Sequence, residues 1–306
     1  MQYINNKNEF LSEIYERVKK IRAEIGLKAT NFSIVDFEFK KRENDLIIKI
    51  YTPIRTDKSA IIGPGGWVIG KLREELNEKF EENVIIRVEN YIDHKRKLEH
   101  FNSSIKFLYD KGIDLTDKYV KKEAVVLIQC EYDLSMLEII KKYFNPLCLS
   151  FDLGTVILPH KNKNRIQKAL AEKNIKHEIL SPFLMNGKDI KLLSSKDPCK
   201  TVCNTLIPEI VHFARDNGID TVIFNHFESK YSLINGIHVL NFLELFPVNL
   251  NTLNYLEKSL DCPLLIQSCR GNKNIKFEKI KNVVEKVYGG YIEPTEGSKE
   301  IMKFIN

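Results

Sequence analysis

From Phe10 to Ile25 apolar residues recur at helical spacing, which predicts an opening helix. The next two runs, FSIVDFEFKKREN and DLIIKIYTPI, alternate apolar and polar positions and predict paired strands joined at Glu43, Asn44 and Asp45. A short helix and a glycine-dense run, IIGPGGWVIGKL at 61–72, come next. The stretch VIGKLREELNEKF then predicts an amphipathic helix with Val68, Leu72 and Leu76 on one side, and ENVIIRVENY closes the set as a strand. The predicted order is helix, strand, strand, short helix, glycine turn, helix, strand.

Charged and mostly helical text from Asp93 to about Lys122, broken at Gly112, reads as a linker. Beyond it the pattern alternates: AVVLIQC, DLSMLEIIKKYF, PLCLSFDLG, KNKNRIQKALAEK and IKHEIL read in turn as strand and helix, which predicts a parallel sheet covered by helices. TVCNTLIPEIVHFARDNG continues it as one helix and IDTVIFNHF as a strand, followed by a helix at Asn251 to Leu260 and the short apolar run PLLIQSC. No repeat or low-complexity tract interrupts the chain. The expected class is α/β, with an α+β domain at 1–92, a helical linker at 93–122 and a parallel-sheet α/β domain at 123–306.

Composition adds limits. The 306 residues are 43% hydrophobic, enough for two ordinary cores. No stretch approaches the roughly 20 apolar residues of a membrane span, and the polar, periodic amino terminus is unlike a signal peptide, so a cytoplasmic protein without a membrane partner is expected. The net charge of +6 is a small difference between 47 basic and 41 acidic side chains, so local clusters inform more than the sum. They lie at Arg17–Arg22, Lys40–Arg42, Lys95–Lys97 and His160–Arg165. All six cysteines, Cys130, Cys148, Cys199, Cys203, Cys262 and Cys269, fall in the second half. In a cytosolic chain they read as buried thiols, metal or cluster ligands, or redox groups rather than disulfides.

The glycine run has a physical use. Without a Cβ, glycine lets two helix ends meet sharply and lets a sugar-phosphate chain come close, and the amides opening the second helix favour phosphate. The stretch IGPGGWVI fits the I-G-x-x-G-x-x-I signature, with Gly63 and Gly66 as its defining glycines, and over roughly Phe32 to Tyr91 the chain resembles a type II KH domain. That resemblance implies RNA binding through Gly63, Pro64, Gly65, Gly66, Ile69 and Lys71, with bases in an apolar groove to which Ile61, Val68, Ile69 and Leu72 contribute. Pro64 and Gly65 carry no cation, so Lys58, Lys71 and Arg73 supply the charge. A purely structural helix elbow is the competing reading.

The run AVVLIQCEYDLSMLEII has the layout of a first strand, turn and first helix, where α/β sheets commonly bind nucleotides. Over roughly Glu123 to Asn272 the chain resembles the PP-loop ATP pyrophosphatase superfamily, whose members adenylate substrates such as tRNA. The family loop reads S-G-G-x-D-S; here Gln129-Cys130-Glu131-Tyr132-Asp133-Leu134 retains Asp133 alone, and Glu131 adds a negative charge where phosphate would sit. The resemblance implies nucleotide contacts at Asp133, Asp152 and Gly154, with ATP and magnesium as cofactors. Asp133 also reads as a helix N-cap.

In thiolation enzymes of that superfamily three cysteines hold an iron-sulfur cluster. The resemblance implies Cys199 and Cys203, with Cys262 or Cys269, as ligands, and Asp133, Cys199, Cys203 and Cys269 as catalytic residues. The C-x3-C pair shares one face if helical. Zinc held with His226 or His212 is another use of the same thiols, and burial a third. Two functions are expected: a tRNA-directed adenylating and thiolating enzyme, or a non-catalytic RNA-binding or scaffold protein with a degenerate nucleotide fold, possibly within a larger protein assembly.

Overall fold

The computed structural model describes residues 7–42, 45–117, 120–152, 160–181, 195–225, 229–246 and 263–305. The chain divides into two compact units, Met1–Leu98 and Glu99–Asn306, with the division inside a helix, Tyr91–Asp110.

The first unit follows the predicted order: α1 (Lys7–Glu24), β1 (Asp36–Arg42), β2 (Asp45–Thr52), α2 (Arg55–Ile62), a 3-10 turn at Pro64–Gly66, α3 (Trp67–Phe80), β3 (Asn83–Asn90) and the start of α4 (Tyr91–Asp110). Its sheet has the order β1-β2-β3. The β1–β2 pair is antiparallel, from Asp36 opposite Tyr51 to Arg42 opposite Asp45. The β2–β3 pair is parallel, because the two intervening helices return the chain to its starting end. Phe10, Ile14, Val18 and Ile21 on one stripe of α1 meet Ile48 and Ile50 of β2 and Val68, Leu72 and Leu76 of α3 in a single core.

The second unit holds six strands: β4 (Lys122–Leu127), β5 (Phe144–Phe151), β6 (His177–Leu180), β7 (Thr221–Ile223), β8 (Tyr231–Ile234) and β9 (Ile237–Leu240). They are ordered β6-β5-β4-β7-β9-β8, and among them only β8 runs antiparallel to its neighbour. Ala124 to Leu127 are all buried, as a central parallel strand covered on both faces requires. Alternate residues feed two cores, Val125 and Leu127 into one, Ala124 and Val126 into the other. The chain steps outward from β4 through β5 and β6, then crosses back to β7. The carboxyl ends of β4 and β7 therefore flank the point where strand order reverses, the usual ligand crevice of such sheets.

Three local outcomes differ from the pattern reading. Leu108, Ile113 and Leu115, within the stretch read as a linker, are buried in the second unit's core. The single helix expected around Thr201–Gly218 is two, α7 (Pro198–Thr205) and α8 (Ile207–Asp216), following α5 (Glu131–Tyr143) and α6 (His160–Glu172). Pro208, which lacks an amide hydrogen, opens the second of them. The run PLLIQSC lies in a helix, α10 (Pro263–Gly271), after the short α9 (Phe242–Leu245); α11 (Lys273–Tyr288) and α12 (Pro294–Ile305) complete the unit. The helix expected at 251–260 lies outside the described residues. None of the described helices is long and apolar enough to cross a membrane.

Candidate functional site

The elbow between α2 and α3 is built by three left-handed glycines. Gly63 (φ +73°), Gly65 (φ +59°) and Gly66 (φ +79°) turn the chain, and the Gly66 amide donates to Gly63 O at 3.2 Å. The three are not equivalent. A Cβ on Gly63 would lie 2.2 Å from Cγ2 of the fully buried Val68, whereas one on Gly65 or Gly66 would meet nothing closer than 3.4 Å. Gly63 is thus required for packing, and the other two leave the main chain open. Pro64 and Gly65 are exposed, and Trp67, the first residue of α3, is 66% exposed.

Of the residues expected to line an apolar groove, Ile61, Val68 and Leu72 are fully buried in the first unit's core and present nothing to a ligand. Their helical spacing reports the core-facing stripe, which is why sequence pattern assigned them to a groove. Ile69 is partly buried against the same core. Lys71 keeps its ammonium 3.8 Å from Glu24, an exposed pair worth little and easily exchanged for phosphate. The basic cluster on α1 is structural: Arg17 bonds Glu13 and Glu75, and Arg22 donates to Ala60 O and Thr30.

At the reversal point of the second sheet, α5 begins directly at Glu131 with extended Cys130 as its N-cap. Asp133 is the third residue of the helix rather than its cap, and its carboxylate turns back over the turn. Oδ2 accepts from the amides of Gln129 (2.9 Å) and Cys130 (3.1 Å), and Oδ1 from Asn225 Nδ2 (3.3 Å). Asp133 is wholly buried. Gln129 ties the ends of two strands together, donating through Nε2 to Phe151 O (2.7 Å) and accepting at Oε1 from the Phe151 amide (3.0 Å). Two backbone amides of the kind a pyrophosphate would use are therefore held by an internal anion. Asn225 Oδ1 is buried without a donor among the described residues. Asp152, just past β5, forms an ion pair with Lys163 at 2.7 Å. Gly154, Cys262 and His226 lie outside the described residues.

The remaining thiols sit in apolar surroundings. Cys203 and Cys269 are buried in the second unit's core, and Cys199 is partly buried against it. Helices α7 and α10 are joined by the buried Ser268 hydroxyl, which accepts from the Cys199 amide (3.0 Å) and donates to Asp197 (2.9 Å). Burial raises the Cys269 thiol pKa and pushes Cys148 up to about 12, which keeps both protonated. Among the described residues no group of three or more His, Cys, Asp or Glu is placed to hold a metal ion. Cys199, Cys203 and Cys269 as described do not fit a cluster or zinc, and His212 faces Asp216 on its own helix instead.

His177 and Ser150 approach to 2.8 Å, but the Ser150 hydroxyl donates to Ile128 O and the pair is buried at the β5–β6 seam. It joins two strands and offers no nucleophile. Gln129 and Asn225 carry no motif signal for these roles, since their partners are fixed only by the packed ends of β4, β5 and β7.

No family model and no curated protein sequence matches this chain. Among solved structures it is similar to the U34-tRNA thiolase NcsA from Methanococcus maripaludis, determined with its 4Fe-4S cluster. The match has 12% identity and a TM-score of 0.36, and covers 68% of this chain and 78% of that one. It assigns no role to any residue here.

Proposed function

We propose that this protein binds RNA, with tRNA as the target class, through a KH-like first unit, and that its second unit is a PP-loop-like sheet used for binding rather than adenylation. The supporting observation is the exposed main chain of Pro64 and Gly65, bracketed by left-handed glycines and leading into the amino end of α3. A ribose-phosphate strand meets no Cβ there, and helix-end amides favour its charge. For the second unit, the Asp133 carboxylate already accepts the Gln129 and Cys130 amides, so ATP with magnesium would have to displace a buried, hydrogen-bonded anion.

The test is a tRNA titration of the full chain at several salt concentrations, followed through Trp67, the single tryptophan. Asp tolerates left-handed backbone better than most residues, so Gly65→Asp and Gly66→Asp place a carboxylate on the elbow while sparing the fold. The reading requires at least a tenfold loss of affinity in either variant. Unchanged affinity in both, with unchanged melting, removes the elbow as an RNA site. Calorimetry with ATP and magnesium is expected to show no heat at millimolar nucleotide; a binding isotherm would restore the adenylating reading.

A further inference from the structure

A second cationic feature lies on the second unit, between the end of α4 and the edge strand β8. Phe107 of α4 and Tyr231 of β8 meet edge to face with ring centroids 5.7 Å apart. Lys111 Nζ stands over both rings, at 5.7 Å from Phe107 and 5.6 Å from Tyr231. Lys230 Nζ stands 4.7 Å over Phe107. Both lysines are exposed, and neither ammonium has a carboxylate partner among the described residues. The Tyr231 hydroxyl is joined to His238 Nδ1 at 3.1 Å, which fixes the ring beneath Lys111.

Most surface lysines here find an acid, as Lys41 does with Glu82 and Lys122 with Asp220. These two instead converge on shared rings, where cation–π attraction of about 0.5–1 kcal/mol each restrains the stems. Two like charges gathered on one aromatic pair repel each other, and an anion bridging them relieves the repulsion. A singly charged phosphodiester, with two unesterified oxygens, offers one acceptor to each ammonium.

We propose that Lys111 and Lys230, set on the Phe107–Tyr231 pair, form a second phosphodiester contact for an RNA strand, read without regard to base identity. This rests on the RNA reading above. No atom of the site belongs to the elbow or to the Asp133 turn, so its contribution is separable from theirs.

The test uses the full chain with Lys111→Glu and Lys230→Glu together, and separately with both changed to Ala, titrated with tRNA and with single-stranded oligonucleotides of differing sequence over a range of salt. Melting curves establish that the variants fold. The expected result is binding at least tenfold weaker for the Glu pair and less so for the Ala pair. The salt slope should fall by about two, one per lost phosphate contact, and equally for every sequence. Unchanged affinity and slope in the Glu pair, with the Gly66→Asp variant impaired, overturns this site and leaves the elbow standing. Impairment in the Glu pair with Gly66→Asp unaffected supports this site and sinks the elbow. Failure of the unaltered chain to bind any RNA overturns both.

Discussion

Two turns of this protein deliver the chain into a helix, and they treat their backbone in opposite ways. At Gly63–Gly66 three left-handed glycines hold the main chain out, with Pro64 and Gly65 exposed. At Gln129–Glu131, which aligns with a glycine-rich phosphate loop, no glycine remains and Asp133 folds back to accept two amides from inside. A turn at a helix start is an anion site only while its donors are uncommitted. One carboxylate three residues into the helix supplies the anion internally and turns a binding loop into a structural one.

The sharpest way to break this contrast is Gly63→Ala. The new Cβ would collide with buried Val68 at a positive φ, so stability should drop by about 3 kcal/mol or more in denaturant unfolding of the full chain. A loss under 1 kcal/mol would mean that the elbow is softer than its geometry. Next comes Asp133→Ala, which strands two buried amides and should cost about 2–3 kcal/mol with tRNA affinity unchanged. Reduced RNA binding in a folded Asp133→Ala protein would erase the division of labour. Gly66→Ala sharpens the comparison within the elbow: its Cβ has space, leaving only the left-handed backbone penalty of about 1 kcal/mol. The smallest effect is electrostatic. Burial alone would raise the Glu13 pKa, but hydrogen bonds from Lys79 and Arg17 outweigh it and hold the pKa below the usual carboxylate range. Glu13 therefore adds stability above about pH 4.5 that is lost as pH falls through its depressed folded value. Glu13→Gln should flatten the acid limb of the stability curve by about 0.5 kcal/mol, measurable as a smaller melting difference between pH 7 and pH 3.

Much of the fold was readable along the chain because its signals are local. The stripe on α1, the alternation in β1 and β2 and the run Val68, Leu72, Leu76 each repeat at the period of their element, and all point into the core. The same locality misled at Ile61, Val68 and Leu72: a stripe facing the core and a stripe facing a groove have the same period, and only packing tells them apart. The break at Leu206 could have been read from Pro208, which the longer helical pattern masked.

The sequence by itself determined the order of elements, the reversal of strand direction expected from helical crossovers, and the glycines at the elbow, because propensity, periodicity and positive φ act between near neighbours. Tertiary structure alone decided who holds the amides of Gln129 and Cys130, that Asn225 reaches Asp133 from another strand, that Cys203 and Cys269 are core residues, and that Lys111 and Lys230 share one pair of rings. Hydrogen bonds and charges choose partners by distance in space, and residues far apart in the chain acquire that distance only when the sheet and its covering helices close around them.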